Sequence, residues 1–382
     1  MNKILMSSIG QWPYQTRRTS RAVLSIVLFL CTTQIGPQLM AVSLYHNEPE
    51  ILVECLAPLL FDGLCAAKLF TCIVKSQKML KLLNRIRDDW QVWANDPEVD
   101  ILHEYAENAR KFTIVYAVII YSTGIMFLTE PILPTIIDIL LKNGSEPRIY
   151  PFPVHYGQID MQKYYVYIIL YTYVCVSMIM LITIAGDVMF IGTVLHACGI
   201  FAAVGSKLRK IGENEKSAGD VYSVKGRDRD YETIAFCIDR HNEAIEYAKL
   251  LEETYSSCLF FVVGFNMFMM SITGVQLVTR DNNPQDVIRF VNFVAAQMIH
   301  LFIEMYISQL LMDGSGNIRY HIQSCQWYKI SLKARKLLHL MTMRCNAPSK
   351  LTAGKICVMS VETYGVVVKT SMSYFTLLQS MQ

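Results

Sequence analysis

Charge is what this 382-residue chain is short of. Asp, Glu, Lys and Arg make up 18% of it, against roughly 25% in a soluble domain. Hydrophobic residues make up 53%, and the mean hydropathy is +0.30. That balance excludes a water-soluble globular domain, and a net charge of +3 is too small to point to nucleic acid. Enzyme signatures are missing as well. No P-loop, HExxH, GxSxG or glycine-rich dinucleotide fingerprint occurs, so no catalytic residue and no cofactor is expected. The eleven cysteines show no CxxC or paired metal spacing. Most of them, Cys31, Cys55, Cys65, Cys72, Cys175, Cys198, Cys258 and Cys357 included, fall in apolar stretches, where cysteine behaves as a small hydrophobe. Disulfides and metal sites are therefore not expected. No cleavable leader is expected either, because Trp12, Pro13, Arg17 and Arg18 stand where its apolar region would begin.

What the chain does have is apolar length. Six stretches, near 22–45, 51–74, 112–141, 164–205, 255–279 and 287–312, and a seventh near 351–380, each reach the ~20 residues of a spanning helix. The stretch at 164–205 is too long for one crossing, so its second half, Gly186 to Leu208, is expected to continue beyond the bilayer. Lys and Arg number 27 in the N-terminal tail and the loops after the second, fourth and sixth stretches, against four in the alternate loops. The positive-inside rule then puts the N-terminus in the cytoplasm and, after seven crossings, the C-terminus outside. That is the reverse of a G-protein-coupled receptor, and the receptor motifs DRY and NPxxY are not met. Asp239-Arg240-His241 precedes the fifth stretch, and Asn283-Pro284 continues as Gln285-Asp286-Val287. The one N-x-S/T sequon, at Asn143, falls in a loop predicted to be external and is a glycosylation candidate.

Between the spans, 76–111 has a helical pattern (Leu80, Leu83, Ile86, Trp90) that breaks at Asn95-Asp96-Pro97. It reads as an extension of the second span. Tyr231 to Leu251 is amphipathic and runs into the fifth span. Trp327 to Arg344 pairs Ile330, Leu337, Leu338 and Leu340 on one side with Lys329, Lys333, Arg335 and Lys336 on the other. Together these extensions would form a helical base, although a basic helix lying on anionic lipid fits 327–344 equally well. The loop at 212–230 has a disorder-type composition. The Tyr150-Pro151-Phe152-Pro153 run predicts an ordered loop over the membrane mouth.

Asp62, Lys68, Glu130, Asp138, Asp187, Glu304, Glu362 and Lys369 lie at or near membrane depth. Each is a functional candidate because burying charge is costly, but their spacing shows no relay. The outer halves of the spans are rich in aromatic and Met residues, and a cavity so lined would hold an apolar molecule by dispersion and desolvation. Lipid-facing or core packing is the alternative at each position. Finally, Lys350 to Gln382 reads as one helix. At ~100° per residue its Thr363, Val366, Thr370, Ser373, Leu377 and Ser380 fall within roughly a third of the circumference. Either this hydroxyl seam packs against neighbours through small residues, or several copies meet around an axis and it lines a pore with Leu377 as the constriction.

Several blocks carry a family pattern: Gly10-Gln11-Trp12-Pro13-Tyr14, Asn84 to Trp90 (NRIRDDW), Ile191 to Leu208, Cys237 to Ala248, Trp327-Tyr328, Ala347 to Lys355 (APSKLTAGK) and Thr370 to Leu378 (TSMSYFTLL). Through them the chain resembles insect odorant receptors over nearly its whole length. The resemblance implies an all-α membrane protein with seven transmembrane helices, a cytoplasmic N-terminus, an extracellular C-terminus and cytoplasmic extensions forming an anchor region. It implies a ligand-gated, non-selective cation channel in the plasma membrane of a sensory neuron dendrite. The chain would be an odorant-tuning subunit in a heterotetramer with a coreceptor, given its short loop after the fourth span. By the same resemblance, 1–315 would hold the first six spans and the ligand pocket, 316–349 the anchor helix, and 350–382 the pore-lining helix. The pore would use Leu377 as gate with Thr370, Ser373, Gln379 and Ser380. The odorant pocket would sit in the outer half, for which Phe61, Tyr121, Ile125, Phe127, Tyr173, Ser177, Met178, Met270 and Phe293 are the candidates. Membrane lipid and permeating cations complete the implied partners. A gustatory-type receptor is the alternative within the superfamily, but the TYxxxxxQF-like ending of that group is not matched by Ser373-Tyr374-Phe375-Thr376-Leu377-Leu378-Gln379. A transporter is the alternative outside it, and no internal repeat supports one.

Overall fold

The computed structural model describes residues 2–129, 150–213, 228–279 and 284–380. Asn143, Glu130, Asp138 and most of the 212–230 loop lie outside the described residues. The described residues are almost entirely helical. They form α1 (Asn2–Ser8), α2 (Arg17–Leu44), α3 (Pro49–Val74), α4 (Ser76–Trp93), α5 (Val99–Thr129), α6 (Tyr165–Arg209), α7 (Arg229–Thr279), α8 (Pro284–Ser324), α9 (Leu332–Arg344) and α10 (Val361–Ser380). Helices α2, α3 and α5 to α8 are each long and apolar enough to cross a membrane. The seventh, α10, has 20 residues, which at ~1.5 Å per residue also spans a ~30 Å hydrocarbon core. Its hydroxyl stripe, Glu362 and Lys369 make it less apolar than the other six.

α6 is the axis of the bundle. From Ile182 to Leu208 nearly every residue is buried, which explains why this segment reads as hydrophobic on all sides. Helices α5, α7 and α8 pack around it, and α3 and α10 pack on α7. At the end where α6 terminates, Leu82 and Trp93 of α4, Leu102 of α5, Phe201 and Leu208 of α6, and Ile234 and Leu251 of α7 share one core. Ile318 and Ile322 of α8 and Leu338 and Met341 of α9 complete it. The extensions expected from sequence therefore do meet in a helical base. Polar contacts tie its rim: the ion pairs of Lys207 with Asp96 and Lys210 with Glu98 at 2.9 Å, and a hydrogen bond between His196 Nε2 and Asp89 at 2.9 Å.

Three local expectations are corrected. α4 is a helix of its own and not a continuation of the second span, because Lys75 (φ −97°, ψ 14°) breaks the helix between Val74 and Ser76. The anchor helix begins at Leu332 and not at Trp327. Trp327–Lys329 is a 3₁₀ turn, and the Ser331 hydroxyl accepts the Ala334 N–H as an N-cap at 3.2 Å. The buried stripe of this helix is Ala334, Leu338 and Met341, whereas Leu340 is 61% exposed.

The third correction concerns 350–360, which is not helical. Thr352–Ala353 and Cys357–Val358 pair antiparallel around Gly354 and Lys355, both with positive φ (62° and 63°). Two consecutive left-handed residues make the tight turn that a hairpin favours and a helix cannot contain. Ser360 then caps α10 by accepting the Thr363 N–H at 3.1 Å. The APSKLTAGK block thus fastens the chain to its neighbours. The Thr352 N–H donates to a Glu252 carboxylate oxygen at 2.8 Å, the Gly354 N–H to the Ser256 carbonyl at 2.9 Å, and the Ser349 N–H to the Ser315 hydroxyl at 2.9 Å. Two other family blocks also meet, where the Tyr14 hydroxyl donates to Asn84 Oδ1 at 2.6 Å.

Candidate ligand cavity and last helix

A cavity of about 150 Å³ lies among α2, α3, α5, α6, α7 and α8 at the end of the bundle away from the helical base. The Pro151-Phe152-Pro153 run forms part of its wall, and Phe152 is buried, as expected for a loop folded over the mouth. The walls are mainly apolar: Ala57, Pro58, Leu64, Ile120, Val176, Ile179, Met180 and Met269, with the aromatics Phe61, Phe127, Phe152, Phe290 and Phe293. Phe127 stacks on both Phe152 and Phe293 at 6.4 Å between ring centroids. A closed aromatic wall of this kind gives a small apolar guest many dispersion contacts.

Of the nine pocket candidates read from sequence, Phe61, Phe127 and Phe293 line this cavity. The other six do not. Tyr121, Ile125 and Ser177 face outward, while their neighbours Ile120, Thr123, Gly124, Val176 and Ile179 face in. Tyr173 donates its hydroxyl to the Leu128 carbonyl at 2.6 Å, Met178 is half-buried, and Met270 belongs to the core next to the lining residue Met269. Aromatic content marks which helices contribute to the wall. The face of each helix is set by its rotation against α6, which composition does not encode.

Apart from Asp62, the polar part of the wall was not anticipated. Gln34, Gln38, Asp62, Asn266, Gln276, Gln297 and His300 all line the cavity. A signal for them exists in the sequence: Gln34 and Gln38 are four apart, and Gln297, His300 and Glu304 recur at steps of three and four within an otherwise apolar helix. Just below the cavity floor, Lys68 pairs with Asp187 and with Glu304 (3.0 Å), and its Nζ lies 2.9 Å from His300 Nε2. His300 Nε2 is 3.3 Å from Asp187 and 3.8 Å from Glu304, and the Tyr116 hydroxyl donates to Asp187. All five side chains are buried. Lys68, Asp187 and Glu304, which looked isolated in sequence, thus converge from α3, α6 and α8, and α5 adds the Tyr116 hydroxyl. Asp187, His300 and Glu304 bring ligand-type atoms within 4.8 Å of one another. Lys68 Nζ stands among them, so the chain supplies its own cation there.

α10 lies beside the cavity, with α7 between them. Its buried residues Val367 and Ser371 face α7, where the Ser271 hydroxyl donates to the Ser371 carbonyl at 3.0 Å. The Phe375 ring crosses α7 at Gly274, where a Cβ would come within 3.0 Å of Phe375 Cδ2. At ~100° per residue the seam of Thr370, Ser373, Leu377 and Ser380 points roughly 130° away from that packed face. Ser373, Leu377 (55% exposed), Gln379 and Ser380 are exposed, and Thr370 is half-buried. Three of the seam hydroxyls bond locally to backbone carbonyls: Thr370 to Val366 (2.8 Å), Ser373 to Lys369 (3.1 Å) and Ser380 to Leu377 (2.7 Å).

The fold has known counterparts. The insect olfactory receptor OR5 from Machilis hrabei, solved in complex with eugenol, superposes with a TM-score of 0.77 at 14% identity, over 100% of this chain and 97% of that one. Odorant receptor 10a of Drosophila melanogaster is 22% identical over 400 residues, covering 100% of this chain and 95% of the relative. Odorant receptor 13a of the same fly is 21% identical over 295 residues, 72% and 68% of the two chains. The odorant receptor coreceptor of Aedes aegypti is 17% identical over 145 residues, 38% of this chain and 30% of that one. The family model described as 7tm Odorant receptor matches residues 48–372, and the chain, a multi-pass membrane protein, belongs to that family.

Proposed function

We propose that the chain is the odorant-tuning subunit of a ligand-gated, non-selective cation channel. In this reading it binds a small volatile molecule in the cavity among α2, α3 and α5 to α8 and opens a pore lined by α10. The observation that carries the reading is the double role of α7. One face of α7 contributes Asn266, Met269 and Gln276 to the cavity, while Ser271 and Gly274 on the same stretch hold α10 through Ser371 and Phe375. A guest that repositions α7 therefore moves the last helix directly. A ligand shifts such an equilibrium only by its differential affinity for the two states, and roughly 2–3 kcal/mol of preference raises the open-state odds about 30–150-fold.

The pore residues follow from the exposed seam. Thr370 and Ser373 line the pore, Leu377 closes it as an apolar ring, and Gln379 and Ser380 form the mouth. Exposure of the seam in the single chain is what a subunit surface completed by other copies requires. The likeness to a coreceptor supports a heterotetramer with such a subunit. The positive-inside bias of the loops supports a cytoplasmic N-terminus and an extracellular C-terminus, and membership of the odorant receptor family supports residence in the plasma membrane of a sensory dendrite. Whole-cell current from cells expressing the chain with and without a coreceptor, against a panel of volatiles, tests the proposal. Ligand-evoked, cation-non-selective current that needs the coreceptor and no G protein is expected. Current that depends on a G protein, or none at all despite surface expression, would refute it.

A further inference from the structure

The cavity holds polar atoms with nothing to bond to. Gln34 Nε2, Gln38 Oε1, Asp62 Oδ2 and Gln297 Oε1 are buried without a hydrogen-bond partner among the described residues. All four side chains are more than nine-tenths buried and all four line the cavity. Buried polar groups are ordinarily paired, and each orphan costs stability, so a cluster of four in one cavity marks a place where a guest completes the bonding. Amide side chains can present either an oxygen or an N–H to a guest. In its ionised form the Asp62 carboxyl is purely an acceptor, and Asp62 forms no ion pair among the described residues. The nearby Lys68 is committed to Asp187 and Glu304. Arg289, in the wall itself, lies over Phe290 at 4.7 Å.

We propose that the cavity selects molecules with an apolar body and a hydrogen-bond-donating head, a hydroxyl or a primary amine, and that the head donates to Asp62 while the body packs on Phe61, Phe127 and Phe293. This inference rests on the channel reading only for its electrical readout. The body is chosen by the aromatic wall, which accepts many skeletons. The head is chosen by Asp62, which Gln38 already contacts, and acceptor-only heads such as ethers and aldehydes leave Asp62 Oδ2 unpaired. A donor bond to a charged acceptor corresponds to roughly a 10- to 100-fold difference in potency between matched molecules.

The test uses the full chain co-expressed with a coreceptor and a set of linear and aromatic volatiles, each skeleton supplied as the alcohol, the primary amine, the aldehyde, the methyl ether and the hydrocarbon. In parallel, ligand-induced thermal stabilisation of the purified full chain is measured, a readout that needs no channel activity. Alcohols or amines are expected to exceed their aldehyde, ether and hydrocarbon partners by about tenfold or more in both assays. Potency in the amines alone would mark a charged head, and potency in the alcohols a neutral one; either supports the proposal. Asp62→Leu should abolish the preference, with surface biotinylation and size-exclusion chromatography showing that the variant folds. Equal potency of donor and non-donor partners, or a donor preference that survives Asp62→Leu, overturns the proposal. Donor-selective stabilisation without any current would instead refute the channel reading and leave the head-group selectivity standing.

Discussion

Replacing Lys68 by methionine keeps the unbranched apolar stem of the side chain and removes its charge from between Asp187, Glu304 and His300. What remains is a pair of buried carboxylates whose neighbours are His300 and the Tyr116 hydroxyl. One Glu304 oxygen already lacks a partner with Lys68 in place. Removing one member of a buried ion pair costs about 3–5 kcal/mol, because the uncompensated charge stays behind. That lowers the folded-to-unfolded ratio by roughly a hundredfold to a few thousandfold, a large fraction of the ~5–15 kcal/mol typical of a domain. Surface biotinylation and size-exclusion chromatography after heating should therefore show Lys68→Met nearly absent from the cell surface and melting well below wild type. A rescue is expected as well. Lys68→Met combined with Asp187→Asn and Glu304→Gln leaves no buried charge to compensate, and such neutral replacements are often tolerated. The triple variant should recover much of the lost stability. A triple variant as unstable as the single one, or a single variant with wild-type melting, would refute the claim that Lys68 acts by compensating these two acids.

Leu377→Ser should raise the basal current at normal surface expression, because the seam then lacks its apolar ring; unchanged basal current removes Leu377 from the gate. Gly354→Ala places a side chain at φ 62° with its Cβ 3.0 Å from Phe260 Cδ2, a cost of about 1–2 kcal/mol from the left-handed backbone alone. Reduced heat stability is expected, and a melting point equal to wild type would show that the hairpin yields. Asp96 supplies a pH signature for the helical base. Burial pushes its carboxyl up, but contacts with Glu98 and Lys207 outweigh this and hold it below its ordinary value of 3.8. A lowered carboxylate contributes stability that is complete above the ordinary value and is lost as pH falls through the lowered one. The melting advantage of wild type over Asp96→Asn should thus be flat above about pH 4 and shrink below it; an advantage that instead grows on acidification would contradict the assignment.

Much of the fold was legible because the membrane imposes long apolar runs and charge asymmetry at their ends. The overlong stretch at 164–205 and the amphipathic segments at 231–251 and 327–344 anticipate the helical base, and Asn95-Asp96-Pro97 marks the α4–α5 break. The hairpin at 352–358 was hidden by its apolar composition, which suits a membrane helix, although Gly354 and the Ser360 cap are signals for a stop and a fresh start. The seam of α10 was readable from periodicity, and its outward direction follows from Val367, Ser371 and Phe375 taking the inner face. The polar wall of the cavity and the Lys68 cluster were less legible, because their members come from α2, α3 and α5 to α8, and single-helix patterns do not say which polar stripes meet. Single-segment spacing is present only in Gln34 and Gln38 on α2 and in Gln297, His300 and Glu304 on α8.

The central claim is that the seam of α10 faces a water-filled path that opens on ligand binding. Ser373→Cys, co-expressed with a coreceptor and exposed to a small cationic thiol reagent, tests it most directly. The chain has eleven cysteines but none between Val361 and Ser380, so the reagent's effect on wild type sets the baseline. The reagent is predicted to reduce ligand-evoked current in Ser373→Cys, faster in the presence of ligand than in its absence. Current unaltered beyond the wild-type baseline, with the introduced thiol fully labelled, would contradict the claim and leave the seam as a packing surface.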